Sequence, residues 1–169
     1  MTSETIELVE QVRRRLSAAD ASCDIRGPVP QAAIDAAEEA LGCTFPPSYR
    51  TFLLTFGGIS LPPHLGIVHD FIGVTETRGG DEPSDVVART LQAREERRLS
   101  GNLIVVGLGA NQQEWFCLDV NRTNPHGECP VVLFDARENA RDQQFYDDFG
   151  QMFSEVIGFV AETLEQPLD

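Results

Sequence analysis

Leu41-Gly42-Cys43-Thr44-Phe45-Pro46-Pro47-Ser48-Tyr49-Arg50-Thr51-Phe52-Leu53-Leu54-Thr55-Phe56-Gly57-Gly58 is the stretch that decides the fold. Pro47 suits the first turn of a helix, where a missing backbone N–H costs nothing. Tyr49, Phe52, Leu53 and Phe56 then fall at i, i+3, i+4 and i+7, the spacing of a helix that packs into a core. Gly57-Gly58 ends it. Upstream, Leu41-Gly42 closes another helix, expected over residues 30–41, with Pro30 in its first turn and Ile34, Ala37 and Leu41 as its apolar face.

Towards the N-terminus, residues 3–19 read as a helix with Ile6, Val9, Val12 and Leu16 on one face. Glu4 and Glu7 come first and Arg13 to Arg15 later, which suits the helix dipole. Residues 22–30, broken by Gly27-Pro28, read as a linker. Towards the C-terminus, short apolar pieces at 66–68 and 71–74 suggest one or two short strands, and 79–83 a loop. Ser84 is a candidate N-cap for a helix reaching residue 99, with Val87 and Leu91 inward and Arg94 to Arg98 near its end. Residues 103–107, 114–120 and 131–134 are rich in β-branched and aromatic side chains between turn formers, the pattern of an antiparallel meander. A last helix is expected over 145–165, with Phe149, Met152, Phe153, Val156 and Val160 as its stripe.

Helices, then strands, then a helix make this an α+β chain, a single domain whose largely antiparallel sheet is covered on one face by helices. Residues 1–29 are expected to form an N-terminal helix and linker, and 30–169 the domain itself. The order lacks the βαβ alternation of a nucleotide-binding sheet.

With 169 residues the chain can bury an ordinary core. No apolar run approaches the roughly 18 residues that span a bilayer, and the first residues do not form a secretory signal; the expected location is cytoplasmic. The charge is −14, from 27 acids against 13 bases, and every base is Arg, as a GC-rich bacterial genome would encode. Such a balance disfavours nucleic acid and anionic membranes as partners, since both are held by Lys and Arg. It favours encounter with a basic partner, or serves solubility alone.

Chemical motifs are few. Gly107-Leu108-Gly109-Ala110-Asn111-Gln112 follows a strand as a dinucleotide fingerprint would, but Gln112 stands at the third glycine and the next element is a strand. A turn is the better reading. His64, His69 and His126 have no metal-ligand spacing, so no metal or other cofactor is expected. His69-Asp70 is read as a loop pair. Cys23, Cys43, Cys117 and Cys129 form no Cys-x-x-Cys and are read as small buried hydrophobes, with a Cys117–Cys129 disulfide as the other possibility. No nucleophile motif occurs, and the chain is not expected to be an enzyme. Trp115 and Phe116 alternate along a strand, so one faces the core and the other outward, as a binding anchor or as part of a second core layer.

The 41–58 stretch resembles the signature of the SUKH superfamily, named partly for cell-wall-synthesis regulators of the Smi/Knr type: Leu41-Gly42, a short spacer, Pro47, Tyr49, Phe52-Leu53 and Gly57-Gly58. Trp115-Phe116-Cys117-Leu118-Asp119 is similar to the family's aromatic-x-Leu-Asp strand, and the likeness extends over about residues 30–164. Two positions depart from the pattern: Phe56 stands where many members have Asn, and the turn 109–114 carries fewer glycines than usual. The resemblance implies a SUKH-like fold whose signature residues are structural. It further implies a non-catalytic protein that binds a cognate bacterial toxin and neutralises it, or else a regulatory protein-interaction scaffold. The residues expected to meet that partner are Asp147 and Asp148, with Glu114 and Trp115. From Asp135 to Asp169 nine acids stand against Arg137 and Arg141, a net −7 that could face the basic cleft of a toxin acting on nucleic acid.

Overall fold

The computed structural model of the chain describes residues 1–75, 85–97 and 99–165. The expected loop at 79–83, the Ser84 cap, Arg98 and Asp169 lie outside the described residues. The elements run α1 (Ser3–Ala18), β1 (Asp24–Ile25), α2 (Gln31–Leu41), α3 (Pro47–Thr55), β2 (Ile59–Ser60), β3 (Asp70–Phe71), α4 (Val86–Arg97), β4 (Leu103–Leu108), β5 (Glu114–Asp119), β6 (Val131–Asp135), β7 (Ala140–Tyr146) and α5 (Phe149–Glu165). The seven strands form one sheet in chain order, each antiparallel to the next. The fold is therefore α+β, as expected.

The signature helix sits at the centre. Tyr49, Phe52 and Leu53 are fully buried, and Phe56 nearly so. Phe45, Tyr49, Phe52, Phe56, Phe71, Phe149 and Phe153 form one aromatic cluster, with Phe52 at 5.1 Å from both Phe149 and Phe153. The only polar atom of these rings, the Tyr49 hydroxyl, donates to the Ile72 carbonyl at 2.8 Å. Gly42 caps α2 in the left-handed region, at φ 65°. Gly57 takes φ +71° and does more than stop α3: a Cβ there would overlap the Gly27 carbonyl, and a Cβ on Gly73 would overlap the carbonyl of Gly57. Three segments thus cross at backbone contact. Across the sequence, Glu128 caps the start of α3 by accepting from the Ser48 N–H at 2.9 Å and its hydroxyl at 2.7 Å.

Residues 1–29 belong to this body. Val9, Val12 and Leu16 of α1 are buried against α5, and β1, inside the expected linker, is the first strand of the sheet. At the first turn of α1 burial falls one residue before expectation: Thr5 is buried and Ile6 is 43% exposed, while Val9, Val12 and Leu16 face the core as expected. A similar shift occurs in α4, which buries Val86, Thr90 and Ala93 while Leu91 is exposed and Val87 only partly covered. Its cap is Asp85, whose carboxylate accepts from the Ala88 N–H at 2.9 Å. The short strands lie at 59–60 and 70–71 rather than 66–68 and 71–74.

Two further differences concern the sheet. All six residues of β4 are buried, so both faces are covered there, not one. Phe71, Gly107 and Phe116 are register partners and share a face; α5 packs on it through Phe153, 5.0 Å from Phe71. Trp115 points to the other face, where α4 lies. Residues 145 and 146, expected to start the last helix, instead end β7, an edge strand.

Candidate protein-interaction surface

The expected partner-binding residues fall at two ends of the β5–β7 half of the sheet. Glu114 pairs with Asp135 and Asp135 with Ala140 at one end; Leu118 pairs with Val131 and Val131 with Tyr146 at the other. Asp147 and Asp148 follow Tyr146, whose row lies four register positions from Glu114 and three from Trp115, so they stand beyond the far end of the strands. The structure does not bring the four together.

At the first end, neither Trp115 nor Phe116 stands outward as an anchor. Trp115 is 6% exposed, and Phe116 is 2% exposed. Trp115 stacks on Phe134 at 5.6 Å, and its Nε1–H donates to the Gln112 carbonyl at 3.0 Å. Both rings are covered because both faces of the sheet are, so the second core layer is the reading that holds. Glu114 is half-buried opposite Asp135, against the turn at Gly109.

At the other end, Asp148 accepts from the Gln151 N–H at 2.8 Å and caps α5, while the Asp147 N–H donates to Gln151 Oε1 at 2.8 Å. Asp148 therefore serves the helix start. Asp147 is exposed, and its carboxylate accepts from Gln144 Nε2 at 3.1 Å. Further along α5, Glu155, Glu162 and Glu165 are exposed, and on the neighbouring α1 so are Glu4 and Glu7. Two rings stand out of the same segment: Phe145 of β7 at 46% exposure and Phe159 of α5 at 58%. Phe145 leans edge-on against Phe116 at 5.8 Å. Gly66 seats on Val156 and Val160, placing the exposed Ile67 beside the turn that carries Phe159. The result is a negatively charged surface with aromatic and aliphatic side chains in it. The sequence points to the acids and not to the rings, because Phe145 reads as the first residue of the last helix and Phe159 sits one position from that helix's apolar stripe.

The remaining signature and motif residues are structural. Asp119, 1% exposed, accepts from Asn102 Nδ2 and Arg141 Nη2 at 2.7 Å each, which ties β4, β5 and β7 together. Leu118 is fully buried beside it. His69 and Asp70 do not pair: His69 Nδ1 lies 3.0 Å from the Leu108 carbonyl, and Asp70 pairs with Arg26 at 3.2 Å. All four cysteines are free thiols; Cys117 and Cys129 are buried and Cys23 and Cys43 partly so. Burial pushes the Cys43 thiol up to about 11 and raises that of Cys117 further. Such thiols are poor nucleophiles. Among the described residues no three His, Cys, Asp or Glu side chains converge as a metal site, and no helix is long and apolar enough to cross a membrane.

A family model described as SUKH, SMI1-KNR4 cell-wall, matches residues 5–157. The chain belongs to this family. The match begins within α1, upstream of the sequence likeness at residues 30–164, and α1 does pack into the common core.

Proposed function

We propose that this chain is a non-catalytic immunity protein that binds a cognate bacterial toxin and neutralises it, working in the cytoplasm. The observation that carries the reading is the acidic surface of α5 and the turn before it, with Phe145 at the end of β7 and Phe159 of α5 exposed. Exposed aromatics ringed by charge are what a protein partner's pockets take up, and a field of this sign accelerates encounter with a basic partner. Toxins that act on nucleic acid carry basic clefts, so occlusion would suffice and no reaction is needed. The family's cell-wall description favours a second reading, a regulatory scaffold that uses the same surface to hold a protein of its own cell.

One measurement separates these, and a second tests the surface they share. Cells forced to express a candidate toxin from the gene's neighbourhood should survive only when the chain is co-expressed; death with every such toxin despite the chain's presence removes the immunity reading and leaves the scaffold. With the purified pair, the Asp147→Asn, Asp148→Asn variant should associate more slowly than the parent, with the gap closing as salt rises. An equal rate at every salt concentration removes the aspartates from the interface.

A further inference from the structure

In a protein of net charge −14, three arginines line one cleft. It measures about 270 Å³ and lies between α4, the β4–β5 turn and the β6–β7 turn. On the α4 side, Arg89, Gln92, Ala93, Glu96 and Arg97 line it, positions i, i+3, i+4, i+7 and i+8 of one helical face. Arg137 enters from the β6–β7 turn. Gln112 and Gln113 enter from the β4–β5 turn, the segment that resembled a dinucleotide fingerprint and fails as one. Trp115 and Ala136 make the apolar part of the wall.

Three guanidinium groups stand against Glu96 in the lining and Asp135 beside Arg137, an excess of about +1. Arg89 is half-buried, and that burial pulls its guanidinium below the usual value, against the attraction of Asp70 and Glu96. Arg137 meets Asp135 only at 3.8 Å with its side chain 63% exposed, a surface pair that holds little energy and leaves the fork able to turn inward. The turn itself is shaped for the site. Gln112 sits in the left-handed region at φ 57°, and Asn111 Oδ1 accepts from the Gln113 and Glu114 N–H groups at 3.0 and 3.3 Å. This turn places Gln112 and Gln113 in the wall of the cleft.

We propose that this cleft is a second binding site, for one or two neighbouring carboxylates on an acidic stretch of a protein partner. The arginine forks match carboxylates two hydrogen bonds at a time, and the glutamines supply donors for the remaining oxygens. The volume is below the roughly 300–1,000 Å³ of sites that enclose a cofactor-sized ligand, which suits side chains entering from a surface. A nucleic acid would meet the repulsion of the whole molecule, whereas a pair of carboxylates meets the cleft. The inference is independent of the acidic surface at α5 and the turn before it, and of any toxin.

Trp115 is the only tryptophan, so the cleft has its own reporter. The intact chain is titrated with a hexapeptide centred on Glu-Glu, with its Gln-Gln counterpart, with inorganic phosphate and with a short single-stranded DNA, by Trp115 fluorescence and by calorimetry. The Glu-Glu peptide should bind saturably, about tenfold or more tighter than the Gln-Gln peptide, as loss of charge-assisted contacts implies. Arg97→Gln, Arg137→Gln should weaken it by a similar factor while melting at the parent's temperature, since both side chains are exposed. Absence of saturable binding by both methods overturns the proposal, as does equal binding by the double variant. Phosphate or DNA binding as tightly as the peptide overturns its carboxylate specificity.

Discussion

The α3 junction and the α4 cleft are built on opposite principles. At the junction, Tyr49, Phe52 and Phe149 have no exposure, the single phenol is bonded to a carbonyl, and glycines let three backbones touch. At the cleft, charged side chains line an opening, one arginine is loosely paired, and a non-glycine residue holds a left-handed conformation. The residues by which the family is recognised belong to the first kind. They fix the scaffold and carry no information about what the scaffold holds. Partner choice must lie in the second kind, and in the acidic surface of α5 and the turn before it, where the signature is silent.

The largest effect that tests this contrast is on stability. Phe52→Ala removes a ring that packs against five others, those of Tyr49, Phe56, Phe71, Phe149 and Phe153, and should cost about 3–5 kcal/mol. For a domain of ordinary stability that is a large part of the total. Urea unfolding should show the midpoint falling steeply for Phe52→Ala and staying put for Arg97→Gln, Arg137→Gln. If the cleft variant loses as much as Phe52→Ala, the cleft is part of the framework and the contrast fails.

Most of the junction was legible in sequence because helical spacing and proline–glycine punctuation encode it locally. Elsewhere the information is not local. Residues 140–146, Ala-Arg-Asp-Gln-Gln-Phe-Tyr, have almost no strand character until β6 pairs with them, and so Phe145 and Tyr146 were attached to the following helix. Alternation along β5 leaves open whether the second ring anchors a partner or joins a second core layer; α4 and α5 cover both faces, which is a fact of tertiary packing. The cleft's helical face was present as positions 89, 92, 93, 96 and 97, but a polar stripe looks the same whether it lines a cleft or meets solvent. Thr5 and Ile6 differ only at the first turn of α1: hydrophobicity favours Ile6, but the helix packs Thr5 against Ser154 of α5.

A smaller effect concerns pH. Burial raises the thiols of Cys43 and Cys117 and the phenol of Tyr49 above their ordinary values. An unfolded chain would ionise these groups near their ordinary values, about 8.5 for Cys and 10 for Tyr. The folded state keeps them neutral, so it holds more protons than the unfolded state above those values, and stability falls as pH rises. The contribution is complete below about pH 8 and is lost progressively from about pH 9 upward. Unfolding midpoints measured between pH 7 and 11 should therefore decline, and less so in Cys117→Ala once its own lower starting stability is subtracted. At pH 8, a group titrating near 11 is ionised in about one molecule per thousand, so Cys43 should react slowly with a thiol reagent until the protein is unfolded. Rapid reaction of Cys43 in the folded protein would place it outside the framework.

The smallest effect divides two adjacent residues. Asp148 caps α5 through the Gln151 N–H, and Asp147 is exposed one position earlier. By the contrast drawn above, Asp148 belongs to the framework and Asp147 to the periphery. Asp148→Ala should cost about 1 kcal/mol, the usual loss for a carboxylate cap, which for a chain of this length lowers the melting temperature by about 2–4 °C. Asp148→Asn should cost only a few tenths, since Asn caps as well as Asp and only the charge–dipole attraction is lost. Asp147→Ala should change stability by less than about 0.5 kcal/mol. The binding readout is expected to run the other way: Asp147→Ala should slow association with a basic partner, and Asp148→Ala should slow it only through loss of its charge. The Asn forms remove charge while keeping the cap, so they isolate the electrostatic part. If Asp148→Ala melts with the parent, the cap contributes nothing and both aspartates are surface charge. If Asp147→Ala melts lower than Asp148→Ala, the helix start is held by Asp147 instead, and the boundary between framework and periphery falls one residue earlier.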